Sequence, residues 1–233
     1  MKKLITVSLL SLMSMGLFAQ RATNHYNIHS RTVDLNEKML AFGLTEAQFE
    51  AIKDEAYANP NFLPGSIYQG EEIVRSGIQM RYNTYADEIE IKEKPSSKDF
   101  GALVKDPDIF VKIGNNIYVF VPHEQSPDKS GYFNVLFAGE RYDLYKRTIS
   151  TFIEAKEAQS SYDRATPPSF KKSTTYYLVD NGTFLEIPNT RSKIMNMMSS
   201  KKKEMHQYVK SNKLDVREEA DLIKALQHFD SLQ

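Results

Sequence analysis

Cysteine is missing from the 233-residue chain, and so is tryptophan. Without a thiol there is no disulfide, no thiolate metal site, no cysteine nucleophile and no lipid-bearing cysteine of the lipoprotein kind, so stability has to come from packing. Histidine is scarce, at five residues, and an excess charge of one sign is lacking, since 30 Lys and Arg face 30 Asp and Glu. That balance excludes a uniformly basic nucleic-acid binder and disfavours a highly charged disordered tail. Beyond the N-terminus no apolar run approaches the ~18 residues of a membrane-spanning helix. The 13 Tyr and 13 Phe are the large pieces from which a core can be built.

What is present begins with Lys2-Lys3, an apolar run from Leu4 to Phe18, then Ala19-Gln20. A short basic region, an apolar stretch too short to span a bilayer and a small residue at the cut are the requirements of a Sec signal peptide, with cleavage expected after Ala19. Loss of Lys2 and Lys3 would leave residues 20–233 slightly acidic. Their length allows one or two domains.

Residues 20–61 read as a polar leader and two short helices. Asp34 and Glu37, then Thr45 and Gln48, are spaced as capping boxes, which predicts helices at about 35–42 and 46–58. Over 62–188 short β-prone runs alternate with turn residues every ~8–12 positions, the pattern of an antiparallel sheet and not of βαβ units. Gly114-Asn115 and Asn181-Gly182 stand where two hairpins should turn. Glu88–Lys92 alternates, placing Glu88 and Glu90 toward water, whereas Ile117–Val121 is apolar throughout and should be central and covered on both faces. Residues 154–172, with Pro167-Pro168, read as a long loop. In 189–233 the stripes Met205/Tyr208/Val209 and Leu222/Ile223/Leu226/Phe229 predict three short helices, the last opening at Asp215 and all docked on the sheet. The fold class is therefore mainly β (α+β): an antiparallel sandwich or partly open barrel with helical ends.

Chemistry is thinly supplied. His25 and His29 share a helical spacing but lack a third ligand, and the position that would complete H-E-x-x-H after His123 is Pro127. Four S-x-x-K matches (Ser126–Lys129, Ser169–Lys172, Ser199–Lys202, Ser200–Lys203) come without partner motifs, and no glycine-rich nucleotide cradle occurs. Asp106 and Asp108 fail the calcium-loop pattern at Phe110. No metal or cofactor is expected. Glu71-Glu72, Asp87-Glu88-Glu90, Asp106/Asp108 and Glu154/Glu157 supply acids for a two-carboxylate hydrolase, if any pair converges. Arg81, Tyr82, Asn83 and Tyr85 combine a cation, an amide and two amphipathic rings, as a carbohydrate or peptide contact would, although a hairpin held by cross-strand tyrosines is the commoner origin of such a cluster. Lys201, Lys202 and Lys203 could meet an anionic surface or form a solvated linker.

The run from FLPGSIYQGEEIVRSGIQMRYNTYADEIEIK through GYFNVLFAGERYDLYKRTISTFIEA, TYYLVDNGTFLEI and the closing KKKEMHQYVKSNKLDVREEADLIKALQHF resembles uncharacterised exported proteins of Bacteroidota, as does the LFAQ end of the signal. The resemblance implies location and architecture, and no catalytic residues. Together these readings predict a non-catalytic periplasmic or envelope-associated binding or structural protein, possible partners being another envelope protein or a glycan. The alternative is a secreted hydrolase of glycan or peptide using an unassigned carboxylate pair. Charged residues along Glu88–Lys92 argue against an outer-membrane barrel.

Overall fold

The computed structural model describes residues 41–123, 129–160 and 162–233 together with Leu35 and Lys38. The expected signal peptide, its cleavage site and the His25/His29 pair lie outside the described residues, as does most of the expected helix at 35–42. Of that helix, Leu35, Lys38 and Ala41 are helical, and Leu35 is buried. The second expected helix is α1 (Glu46–Ile52), followed by a 3-10 turn at Lys53–Ala56. The Thr45 hydroxyl accepts from the Gln48 amide while the Gln48 side chain returns to the Thr45 amide, the reciprocal cap the spacing predicts.

Ten strands follow: β1 (Leu63–Gln69), β2 (Glu72–Asn83), β3 (Glu88–Lys92), β4 (Gly101–Ala102), β5 (Ile109–Ile113), β6 (Asn116–Val121), β7 (Gly131–Ala138), β8 (Tyr142–Ile153), β9 (Ser169–Asp180) and β10 (Thr183–Glu186). They form one antiparallel sheet in the order β10-β9-β8-β7-β6-β5-β1-β2-β3-β4. The mainly β, antiparallel reading holds. The sheet is open: β10 and β4 are its two ends, so the strands neither close into a barrel nor divide into two sheets. Gly114, Asn181 and Gly182 adopt positive φ at the two expected hairpin turns. The expected loop over 154–172 is shorter than the proline pair suggests, because β9 begins at Ser169 and pairs with β8 residue by residue back to Ile153.

Three helices close the chain, α2 (Arg191–Met197), α3 (Lys202–Ser211) and α4 (Glu219–Asp230). The last opens at Glu219 and not at Asp215, because Arg217 captures the Asp215 carboxylate through Nε (2.9 Å) and Nη2 (2.6 Å) and holds 215–218 as a turn.

One face of the sheet, here called inner, carries the three apolar cores. Near β1–β6 it curls over its own side chains, Ile67, Met80, Tyr82, Ile89, Val111 and Tyr118 among them. Near β8 and β9 the C-terminal helices cover Tyr142, Leu144 and Leu178 with Met205, Leu222 and Phe229. Farther along the same two long strands, Phe152 and Phe170 meet Phe49, Leu44 and Tyr57 from the N-terminal segment. Because side chains alternate along a strand, the outer face carries Phe133, Tyr145, Tyr177 and Phe184. Strand β6 is central as expected but covered on one face only: Tyr118 is buried, while Ile117, Val119 and Val121 stay half-buried beside the β7 residues they pair with.

Candidate functional site

The four residues singled out in Arg81–Tyr85 do lie together, at the end of β2, but the polar groups of Arg81, Tyr82 and Asn83 are bonded within the protein. Arg81 donates from Nε to Glu90 (2.6 Å), from Nη1 to the Pro60 carbonyl (2.8 Å) and from Nη2 to the Tyr57 hydroxyl (2.9 Å). Its guanidinium also lies 3.8 Å from the Tyr57 ring centroid and 4.4 Å from that of Phe62. Asn83 is fully buried; its amide donates to Glu90 (2.8 Å) and its carbonyl oxygen accepts from the amides of Tyr85 and Ala86. Glu90 is therefore buried and paired, against the water-facing position that alternation predicts. The strand alternates correctly, yet residues 57–62 and Phe100 roof its second face, and a roofed carboxylate needs a partner such as Arg81. Tyr85 packs edge-on against Phe42 and Phe170.

Tyr82 leads into a second cluster. Its hydroxyl donates to Asp87 Oδ1 (2.7 Å), which also accepts from the Tyr132 amide (3.0 Å), while Lys105 reaches Asp87 Oδ2 at 3.5 Å. Asp87 takes a positive φ of 54° at the β2–β3 turn, a conformation Asp tolerates better than most residues. Burial, then the Asp87 charge, hold the Tyr82 and Tyr132 hydroxyls protonated well above the ordinary tyrosine value. Gly131 leaves room for the Asp87 carboxylate and the Arg147 guanidinium beside β7, since a Cβ there would meet both side chains. The Tyr132 hydroxyl and Arg147 Nε are buried without a hydrogen-bond partner among the described residues.

The carboxylates divide by environment. Glu71, Glu72, Glu154 and Glu157 are exposed, and Asp106 caps its own turn through the Asp108 amide. Two acids that sequence reasoning passed over, Asp143 and Asp230, meet at the β7–β8 turn. Asp230, at the end of α4, accepts from the amides of Glu140 (2.8 Å), Arg141 (3.0 Å) and Tyr142 (2.8 Å). Burial would raise its pKa, but the three amides outweigh it and hold the carboxyl below the usual range. Burial raises Asp143, against the opposing pull of the Gly139 amide. No local pattern marks Asp230, because its partners lie about ninety positions away.

Lys201 ends a 3-10 turn and Lys202 and Lys203 open α3, the last two exposed; none of the three has an ion-pair partner among the described residues. On the outer face, Tyr145, Tyr177 and Phe184 surround Phe133 with ring centroids 5.2–6.4 Å away. The rim rings are half-buried, Phe133 is nearly covered by them, and the Arg147 guanidinium stands 5.4 Å from the Phe133 centroid. Hydrophobic strand positions were legible in the sequence; that these four would share one face, left without a covering element among the described residues, depends on β7–β10 register, which it did not show. No family model, curated protein or solved structure matches the chain.

Proposed function

We propose that this protein is a non-catalytic binding or structural component of the cell envelope, exported to the periplasm or the outer membrane's surroundings. The observation that carries the reading is the asymmetry of the sheet. Its inner face is filled by three cores, while the outer face presents a preassembled cluster of Tyr145, Tyr177 and Phe184 around Phe133, beside the Arg147 guanidinium. Rings already ordered by one another lose little freedom on contact, and tyrosine adds a hydroxyl to an apolar face, properties suited to a glycan or an envelope protein. The acids that come together support the same reading. Glu90 and Asp230 spend their oxygens on Arg81, Asn83 and three backbone amides, which suits anchoring better than proton transfer.

The test is cross-linked capture from separated periplasmic and outer-membrane fractions, with the wild-type chain and a Tyr145→Ala/Tyr177→Ala variant. Wild type should recover an envelope component and the variant should lose it while melting as a folded protein. Recovery of the uncleaved chain in the cytoplasm, or capture indifferent to both rings, would refute the proposal.

A further inference from the structure

The long hairpin of β8 and β9 is covered unequally. Strand β10 pairs with β9 only from Tyr177 to Asp180, after which Ile187 makes one more bond, its amide donating to the Tyr176 carbonyl at 2.8 Å. Pro188 then turns the chain toward α2. The remaining residues of β9, Ser169 to Thr175, pair with β8 on one side, and nothing described pairs with the other. In an antiparallel ladder the N–H and C=O of one residue point the same way and alternate between residues. Since the backbone groups of Tyr176 point away from β8, so do those of Thr174 and Lys172, and no described group bonds these free amides and carbonyls. Lys171 to Thr174 are exposed.

This open edge runs into a groove of about 470 Å³ between β9, the end of β10 and the C-terminal helices. Its walls include Ile187, Pro188, Ile194, Val216 and Leu222. Arg217 stands there too, already neutralised by Asp215 at 2.6 Å.

The geometry points to β-strand addition: the free edge of β9 accepts an extended peptide that places an apolar side chain in the groove and carboxylates beside Lys171 and Lys172. Backbone groups in a row ask for another strand, and alternate side chains of that strand supply specificity. Charge selects among possible strands. Two copies of this edge laid against each other would gather the lysine pairs of both along one short ladder, where like charges repel. An acidic strand instead finds both lysines, one on each face of the ladder, without an ion-pair partner among the described residues, and an apolar residue at its other end finds the groove. Because β9 would be joined in the antiparallel sense of the whole sheet, the apolar half comes first in the peptide and the acidic half second. The surface lies on a sheet edge, apart from the ring cluster of the outer face, so each stands or falls alone.

The probe is a fluorescein-labelled octapeptide with valine alternating with threonine in its first half and consecutive glutamates in its second, so that carboxylates lie on both faces of the strand, titrated by anisotropy against the full chain. The comparator replaces glutamate with lysine. We expect the glutamate peptide to bind, to weaken as salt is raised, and to bind at least about tenfold better than the lysine peptide. Thr174→Pro removes one outward amide while leaving the β8 bonds intact, and should weaken binding by about tenfold with an unchanged melt. If that variant fails to fold, Lys171→Glu/Lys172→Glu serves instead, and it should reverse the preference between the two peptides. Equal binding of both peptides, absence of binding, or indifference to both variants would overturn the inference. So would a concentration-dependent dimer in light scattering that Thr174→Pro abolishes, because the edge would then belong to a second copy.

Discussion

Asp143 and Asp230 sit at one turn with opposite electrostatic histories. Asp230 holds three backbone amides of 140–142, so its folded pKa lies below the unfolded one. Its contribution to stability is present above the unfolded value of about 3.9 and is lost as pH falls through the folded value. Replacing it by Asn turns an amide donor toward the Glu140 N–H, and should cost about 2 kcal/mol at pH 7, the scale of hydrogen bonds to a charged group. Asp143 runs the other way. Its folded pKa is raised by burial, so its ionisation opposes folding at neutral pH, and that penalty disappears as pH drops through the raised value. Asp143→Asn keeps an acceptor for the Gly139 amide and should be neutral to stabilising at pH 7 and indistinguishable from wild type at pH 3. Urea midpoints of both variants across pH 3–7 measure this; a constant penalty for Asp230→Asn down to pH 3 would show that its charge does not matter. Neither residue stood out in the sequence, whereas Arg81 to Tyr85 did, because a local cluster of chemically versatile side chains is visible and a long-range partner is not.

At the scale of elements, turns and caps were the legible part. Thr45/Gln48, Gly114 and Asn181-Gly182 each carry a local physical requirement, and each appears where its spacing placed it. Irregularity inside strands was not legible. The pairing of β1 with β2 jumps between Gly65 and Ser66, leaving Gly77 as an extra residue with φ of 70°. A Cβ at Gly77 would meet nothing within 4 Å, so Gly77→Ala should cost only the left-handed backbone term, about 1–2 kcal/mol. Gly65 is different: its φ is ordinary, but a Cβ would collide with the Lys112 carbonyl of β5 and the Met80 side chain. The strands themselves would have to separate. Gly65→Ala should therefore lose more than Gly77→Ala and should disturb the amide signals of β5, while Gly77→Ala leaves them in place. Equal losses with no β5 perturbation would mean that the sheet yields at Gly65 more easily than its packing implies. One glycine serves the backbone and the other serves its neighbour, and composition alone cannot separate those two needs.

For the whole molecule, length left one or two domains open, and periodicity could not say which face of which strand would be roofed. The structure distributes its cores along a single continuous sheet, with β6 and β7 joining the self-curled half to the helix-covered half over five paired residues. Side-chain ties reinforce that seam, for the Asp87 carboxylate on the β2–β3 turn accepts from the Tyr132 amide on β7. Such a connection predicts one cooperative unit. Phe229 tests it, since it is 1 % exposed, lies in α4 and stacks on Tyr142 at 5.1 Å, far from the β1–β6 core. Truncating it to Ala should remove about 3–5 kcal/mol. If the halves are coupled, that loss lowers the whole protein's urea midpoint, and hydrogen exchange at Val111 in β5 speeds up with exchange at Leu226 in α4. If they are separate, Leu226 exchanges faster while Val111 keeps its protection, and the unfolding curve splits into two steps. We expect the coupled outcome, because the seam is made of ladder hydrogen bonds and a bound carboxylate and not of a flexible linker.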